Sequence, residues 1–156
     1  MLEMPQQLYF IAAVAVVGFG LSILSFFVRE GFTTSKGYQK GIALYQEKDY
    51  KGAEEAFRNV LSRHPSNDMV RLLLGDVMMQ LDLPEEAIAQ FKELQRRAPK
   101  NVDAYLKMGT ALVKLDKLEE AIPALEKARD LFKAQRNSHK ADQIDQLLQQ
   151  ISKQQS

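Results

Sequence analysis

Few side chains in this sequence could do chemistry. The two histidines, His64 and His139, have no second histidine, cysteine or acidic pair at the spacing of metal ligands. Cysteine is absent, which excludes a disulfide framework, a thiolate metal site and a cysteine nucleophile. The sequence also has no glycine-rich phosphate loop and no nucleophile-elbow motif. We therefore expect no catalytic residue, no metal site and no cofactor.

Three pairs of adjacent glutamates resemble catalytic carboxylate pairs at first sight. The pairs are Glu54/Glu55, Glu85/Glu86 and Glu119/Glu120. Their recurrence favours a structural role, because negative charge near a helix N-terminus interacts favourably with the helix dipole. We interpret each pair as the beginning of a helix and predict that the protein is not an enzyme.

The charges are balanced in number but unevenly placed. The chain has 156 residues with 21 Lys+Arg against 20 Asp+Glu, for a formal net charge of +1. Without clustered positive charge, a nucleic-acid partner is not expected. Residues 4–28 carry no charged side chain at all. This split predicts two different environments within one chain.

The uncharged stretch predicts a membrane anchor within residues 1–29. Residues 8–28 are an apolar run that would span about 31 Å as a helix, close to the bilayer core of about 30 Å. A cleaved signal peptide is less favoured, because the run is too long and no basic region precedes it. Glu3 precedes the run and Arg29 follows it, so the positive-inside rule predicts a single-pass protein with its N-terminus outside and the remainder cytoplasmic.

Within this run, small residues fall on one helical stripe. The stripe consists of Ala15, Gly18, Ser22 and Ser25. Small side chains let two membrane helices pack closely. We predict a transmembrane packing face here, through which the chain could associate with itself.

After a short linker at 30–36, the sequence repeats with a constant period of about 34 residues. Three sets keep this period: Gly41, Gly75 and Gly109; Ala53, Ala87 and Ala121; and Phe57, Phe91 and Leu125. Pro65 and Pro99 have the same spacing. This pattern resembles the tetratricopeptide repeat family, whose repeating unit is a pair of helices with the same period.

Together with the anchor predicted from the apolar run, the resemblance implies an all-α fold. It would consist of a transmembrane helix at the N-terminus, a superhelix of three repeats at 37–135 and a C-terminal capping helix. The units would be about 34–67, 68–101 and 102–135. Residues 136–156 would form the capping helix and a frayed tail, since solenoids need their last apolar face covered. The capping helix is indicated by an apolar stripe that Ser138 could cap. The stripe consists of Ala141, Ile144, Leu148 and Ile151.

The family's concave surface is lined by the first helix of each unit. Counting from residues 34, 68 and 102 places ten residues there, most of them apolar, aromatic or Met. We call these the groove residues: Tyr38, Ile42, Tyr45, Met69, Leu72, Asp76, Met79, Leu106, Thr110 and Val113. An exposed patch of this composition is typical of a protein-binding site.

Some family members bind chaperone C-termini by presenting Lys and Asn to two carboxylates. Other residue types stand at those places in this chain. They are Tyr38, Ile42, Leu72 and Asp76. Binding of a chaperone tail is therefore not expected.

The sequence predicts a membrane-tethered adaptor that holds a protein segment or a subunit of a membrane complex, as an assembly or stability factor. The layout resembles the membrane-anchored cyanobacterial and plastid tetratricopeptide proteins of photosystem I assembly, which would place it at the thylakoid. Two alternatives stay open: a homo-oligomeric membrane scaffold, and a periplasmic biogenesis helper of opposite orientation. The chain's own linker or tail could also fill the groove.

Overall fold

The computed structural model describes residues 36–154, and all regular secondary structure in this range is α-helical. The helices are α1 (described over 36–46), α2 (Tyr50–Arg63), α3 (Asp68–Gln80), α4 (Pro84–Arg97), α5 (Val102–Lys114), α6 (Leu118–Ala134) and α7 (Ser138–Gln154). From α2 onwards each helix packs on the next in sequence, and α3 also contacts α5. The predicted all-α repeat fold is confirmed.

Buried side chains form two hydrophobic clusters along the array. The first includes Phe57, Met78 and Phe91 and runs through α2, α3 and α4 into α5 and α6. The second includes Leu125 and Ile144 and joins α5 and α6 to α7. No charged or polar side chain is buried within the described residues. The core is thus continuous along the helix pairs rather than centred on one point, as expected for stacked repeats.

Side-chain caps fix where four of the helices begin. Asp49, Asn67, Asn101 and Asn137 each accept a hydrogen bond from the backbone N–H three residues later, satisfying a group with no partner inside the helix. The cap of α7 is therefore Asn137. Ser138, which the sequence suggested as the cap, is the first residue of the helix.

The turns after α1, α3, α5 and α6 share one backbone geometry. Each contains a residue in the left-handed region: Lys48, Asp82, Asp116 and Arg136, with φ between 57° and 62°. The next residue donates its N–H to the carbonyl five positions back, at 2.9 Å in all four turns. This is the Schellman arrangement, which satisfies carbonyls at a helix C-terminus. Helix reversal within a unit is thus fixed by local hydrogen bonds.

The joints between units are made differently. Helix α2 ends at Arg63, two positions before Pro65, and α4 ends at Arg97, two positions before Pro99. Proline disfavours a helical conformation of its predecessor and has no N–H to donate, so these helices stop there. The third unit has no proline at this place, and α6 continues to Ala134. Pro123 lies inside α6 without ending it.

The glycines of the sequence repeat lie against the bulky residues repeated with them. A Cβ on Gly41 would lie 2.7 Å from Cδ1 of Phe57, and one on Gly75 would lie 2.6 Å from Cζ of Phe91. In the third unit, a Cβ on Gly109 would lie 2.7 Å from Cδ2 of Leu125. Because the two helices of each unit meet at these points, only glycine leaves room for the side chain opposite.

Helix α7 covers the last unit. Ala141, Ile144 and Ile151 are buried in the cluster shared with α6, and the Asp145 carboxylate lies 3.2 Å from Arg129 Nη1 and 3.3 Å from Lys133 Nζ. The helix is continuous to Gln154. The apolar stripe seen in the sequence is therefore the packing face of a terminal helix.

The transmembrane element of the sequence prediction needs correction. In the part of the chain that the structure describes, no helix combines the length and the apolar character needed to cross a bilayer. The predicted anchor (1–29), its membrane span (8–28) and the small-residue stripe of Ala15, Gly18, Ser22 and Ser25 lie outside the described residues. The fold class of the described chain is thus all-α repeats without a transmembrane helix. The predicted localisation, a single-pass membrane protein with a cytoplasmic repeat domain, is wrong on the same finding.

The glutamate pairs are only partly where we expected them. Glu85/Glu86 and Glu119/Glu120 lie in the first turns of α4 and α6, as predicted. Helix α2 begins at Tyr50 and has no acidic residue in its first turn, so the interpretation of Glu54/Glu55 as a helix beginning is wrong. Glu54 instead accepts a hydrogen bond from Arg58.

Substitution of Gly75 by Ala should destabilise the protein. The new Cβ would overlap the Phe91 ring, and overpacking of this kind costs about 1–3 kcal/mol, more than the gain in helix propensity of about 1 kcal/mol. Urea unfolding monitored by circular dichroism measures the loss. In a double-mutant cycle with Phe91→Ala, the combined loss should be smaller than the sum, and additive losses would contradict the packing described.

Substitution of Asp116 by Gly should stabilise the protein by about 0.5–1 kcal/mol, because Asp116 has φ 57°, a conformation that costs free energy in residues with a Cβ. Asp142→Gly, the same change in the interior of α7, is the matched control and should destabilise by about 0.3 kcal/mol, since Asp is itself a poor helix former. Equal effects of the two changes in urea unfolding would refute the role of the turn.

Candidate peptide-binding groove

The ten groove residues all lie on the first helices of the units, α1, α3 and α5. None is fully buried: Met69 and Thr110 are exposed, and the other eight are half-buried. Met69 is the large hydrophobic residue with the greatest exposure in the described chain, at 58%. These side chains therefore retain surface that a partner could cover.

The apolar groove residues rest on the hydrophobic core beneath them. Six pack against the first cluster: Tyr38, Ile42, Tyr45, Leu72, Met79 and Val113. Leu106 packs against the second cluster, which Val113 also touches. Because one side of each side chain is held by the core, the exposed side presents a largely preformed apolar surface, which lowers the entropy cost of binding.

Thr110 contributes less polarity than its hydroxyl suggests. Its Oγ1 donates a hydrogen bond of 2.9 Å to the backbone carbonyl of Leu106 one turn earlier. The hydroxyl is thus satisfied within α5, and the methyl group remains as the apolar contribution of this residue.

One ion pair crosses the apolar surface. Asp76 on α3 accepts from Lys107 on α5, with Nζ 2.8 Å from Oδ1. Tyr45 on α1 lies close enough that burial first, and then the charge of Asp76, raises the pKa of its hydroxyl. Residues of α1, α3 and α5 are therefore brought together by the fold around Asp76.

The Asp76 carboxylate is held in an unfavourable environment for its charge. Burial is the main cause that raises its pKa above 3.8, the ordinary value. The hydrogen bond and charge of Lys107 oppose this effect, and the negative charge of Asp103 adds to it. The net result is a raised pKa, because the single lysine does not offset desolvation.

Two charged residues of this site were missed by the sequence analysis. Asp103 stands one repeat after Met69, so counting along the repeat already pointed to it. Lys107 has no such signal, since it lies one position beyond the groove residue Leu106 and its role follows only from its contact with Asp76.

Neither histidine is a groove residue. His64 is half-buried at the C-cap of α2, and His139 is exposed in α7. Over residues 36–154 no group of three His, Cys, Asp or Glu side chains is placed to hold a metal ion. The groove combines apolar side chains with one ion pair, which suits an apolar protein segment.

Replacing Asp76 by Asn should stabilise the folded protein more at pH 7 than at pH 4. A raised native pKa means that the native state holds the proton more tightly than the unfolded chain, so the free energy of unfolding falls as pH rises through that pKa. Asn avoids this cost, and its advantage shrinks as pH falls towards 3.8. Urea unfolding at both pH values, with Asp116→Asn as the exposed control, tests the sign. A larger advantage at pH 4 would refute it.

Two family models, both described as tetratricopeptide repeat, match the chain. They match residues 44–100 and 102–134, which together exceed half of the chain. None of the curated proteins compared with this chain matches it.

Several solved structures have the same fold. The TPR2B domain of yeast Sti1, solved with pHsp70, has a TM-score of 0.72 at 24% identity, covering 79% of this chain and 98% of that one. PcrH, solved with the chaperone binding region of PopD, has a TM-score of 0.75 at 19% identity, covering 81% of this chain and 96% of that one. The MamA protein has a TM-score of 0.61 at 25% identity, covering 78% of this chain and 74% of that one.

These similarities establish the family. They do not support the more specific prediction of a photosystem I assembly protein. Nothing in them points to photosystem I assembly or to the thylakoid. The related domains of Sti1 and PcrH do bind segments of partner proteins. The sequence repeat, the paired helices and the two family models agree, and this chain belongs to the tetratricopeptide repeat family of protein-interaction modules.

Proposed function

We propose that this protein is a non-enzymatic adaptor that holds a segment of a partner protein against the groove residues. The observation that carries the proposal is an apolar surface spread over three first helices and left partly open to solvent, with Met69 58% exposed. Partly exposed apolar side chains gathered on one face often mark a protein-binding site.

The composition of the surface favours an apolar or amphipathic segment. Tyr38, Ile42 and Leu72 offer side chains that gain free energy by burying apolar area, at about 25 cal/mol per Å². Met69 and Met79 add flexible side chains that adapt to different shapes. A strictly polar peptide would gain little here.

A chaperone tail is not the proposed ligand. Binding of a C-terminal carboxylate needs cations or amide donors, and Asp76 stands where such a relative has one of these groups. Its carboxylate would repel a second carboxylate in the same partly buried place. The complex of Sti1 with pHsp70 is thus a guide to the fold and not to this chain's partner.

Photo-crosslinking identifies the segment and tests the proposal. A benzophenone amino acid placed at Thr110, an exposed groove residue, should crosslink one defined segment of a partner protein in cells. A synthetic peptide of that segment should then bind the purified full-length chain in fluorescence anisotropy. Crosslinks only to a second copy of the chain would support the homo-oligomeric scaffold instead, and crosslinks to its own residues would show that the groove is filled internally.

Groove substitutions should weaken peptide binding without unfolding the protein. Met69→Gln with Leu72→Gln removes apolar contact at the centre of the surface, and we expect affinity to fall at least about tenfold. Leu61→Gln on α2 is the matched control, since Leu61 is also half-buried against the core but is not a groove residue. Equal loss of binding in the control, or unchanged binding in the double variant, would refute the groove as the site.

A further inference from the structure

The groove contains more acidic than basic side chains. Lys107 lies 2.8 Å from Asp76, and their side chains are only 35% and 23% exposed. Asp103, in the first turn of α5, is half-buried and has no cation at ion-pair distance within residues 36–154. The groove therefore holds two carboxylates and one ammonium group, and that ammonium group is paired with Asp76.

Two cations on the neighbouring helix ends are paired with other carboxylates. Lys114 at the end of α5 lies 2.7 Å from Asp82, in the turn after α3. Arg97 on α4 lies 2.9 Å from Asp68 at the beginning of α3. Neither can turn to Asp103 without giving up its own partner, so these two cations do not offset the charge of Asp103.

The apolar surroundings strengthen the attraction of this negative charge for a cation. The attraction between opposite charges grows as the effective dielectric constant falls, and an incoming segment would displace water from the groove. Asp103 lies one helical turn before Lys107 on α5, and Lys107 binds Asp76, so both carboxylates lie on the same part of the groove. The charge of Asp103 also contributes to the raised pKa of Asp76. A cation placed beside both would relieve their repulsion, whereas a further carboxylate would increase it.

We propose that the groove selects a protein segment that is apolar except for one lysine or arginine, whose cation binds at Asp76 and Asp103. This inference rests on the proposed function and names the ligand class of the same site. The apolar side chains of the segment supply affinity, and the cation fixes its register along the groove.

Selection from a displayed peptide library tests the inference with the full-length protein. The library presents random segments of about 16 residues, which would extend about 24 Å as a helix, between constant flanking sequences that leave no free terminus. We expect captured segments to be apolar with Lys or Arg at one position, enriched at least about fivefold over the library. A chosen peptide in which this cation is replaced by Gln should bind at least about tenfold more weakly in anisotropy.

Matched variants separate groove charge from overall charge. Asp76→Asn with Asp103→Asn should lose the preference for a cation and gain one for Asp or Glu, because Lys107 is then left without a partner. Asp116→Asn with Asp142→Asn makes the same change in net charge at exposed positions outside the groove and should retain the cation preference.

The outcomes distinguish this inference from the function on which it rests. Segments whose capture is lost in the Met69→Gln/Leu72→Gln variant but which carry no fixed cation would overturn the inference and leave the proposed function standing. A cation preference retained in Asp76→Asn/Asp103→Asn would also overturn it. Capture that does not depend on Met69 and Leu72 would overturn the proposed function itself.

Discussion

The close approach of the two helices in each unit is the constraint on which the other features depend. At Gly41, Gly75 and Gly109 there is no room for a side chain, because Phe57, Phe91 or Leu125 already occupies the space. This contact holds the first helix against the second. Among the first helices α3 touches α5, and side chains of α1, α3 and α5 form the proposed groove. The proposed binding surface thus lies beside the face of each first helix that this packing holds in place.

Local backbone structure makes this packing repeatable. A left-handed residue reverses the chain within each unit, and a joint with Pro65 or Pro99 ahead of the cap at Asn67 or Asn101 reverses it between units. Long-range contacts are therefore built from short connections whose hydrogen bonds lie within a few residues. The same helices then present the same face at every step, which lets one sequence period specify a continuous surface.

The repeat could be predicted from the sequence because the residues that recur with its period include glycine and proline, whose positions few other residue types can occupy. Glycine at 41, 75 and 109 and proline at 65 and 99 act through sterics, and sterics depend little on distant context. The groove residues were then predicted by counting positions from the start of each unit. Lys107 could not be found this way, since an ion pair with Asp76 depends on the distance between α3 and α5. Glu54/Glu55 misled the prediction because acidic pairs occur inside helices as well as at their beginnings. The apolar run at 8–28 predicted a transmembrane helix from composition alone, and no described helix has that character.

The joint at 135–137 has a consequence for how such a chain can grow. Helix α7 follows α6 through the turn type used inside units, with Arg136 at φ 59°, and not through the proline-containing joint used between them. A further copy of the repeat gained by gene duplication would continue the array only if inserted ahead of this turn. Placed after it, the copy would meet the polar outer side of α7, whose buried residues are already packed on α6. The change of joint at Arg136 thus marks where the alternation of the two joint types ends within the described residues.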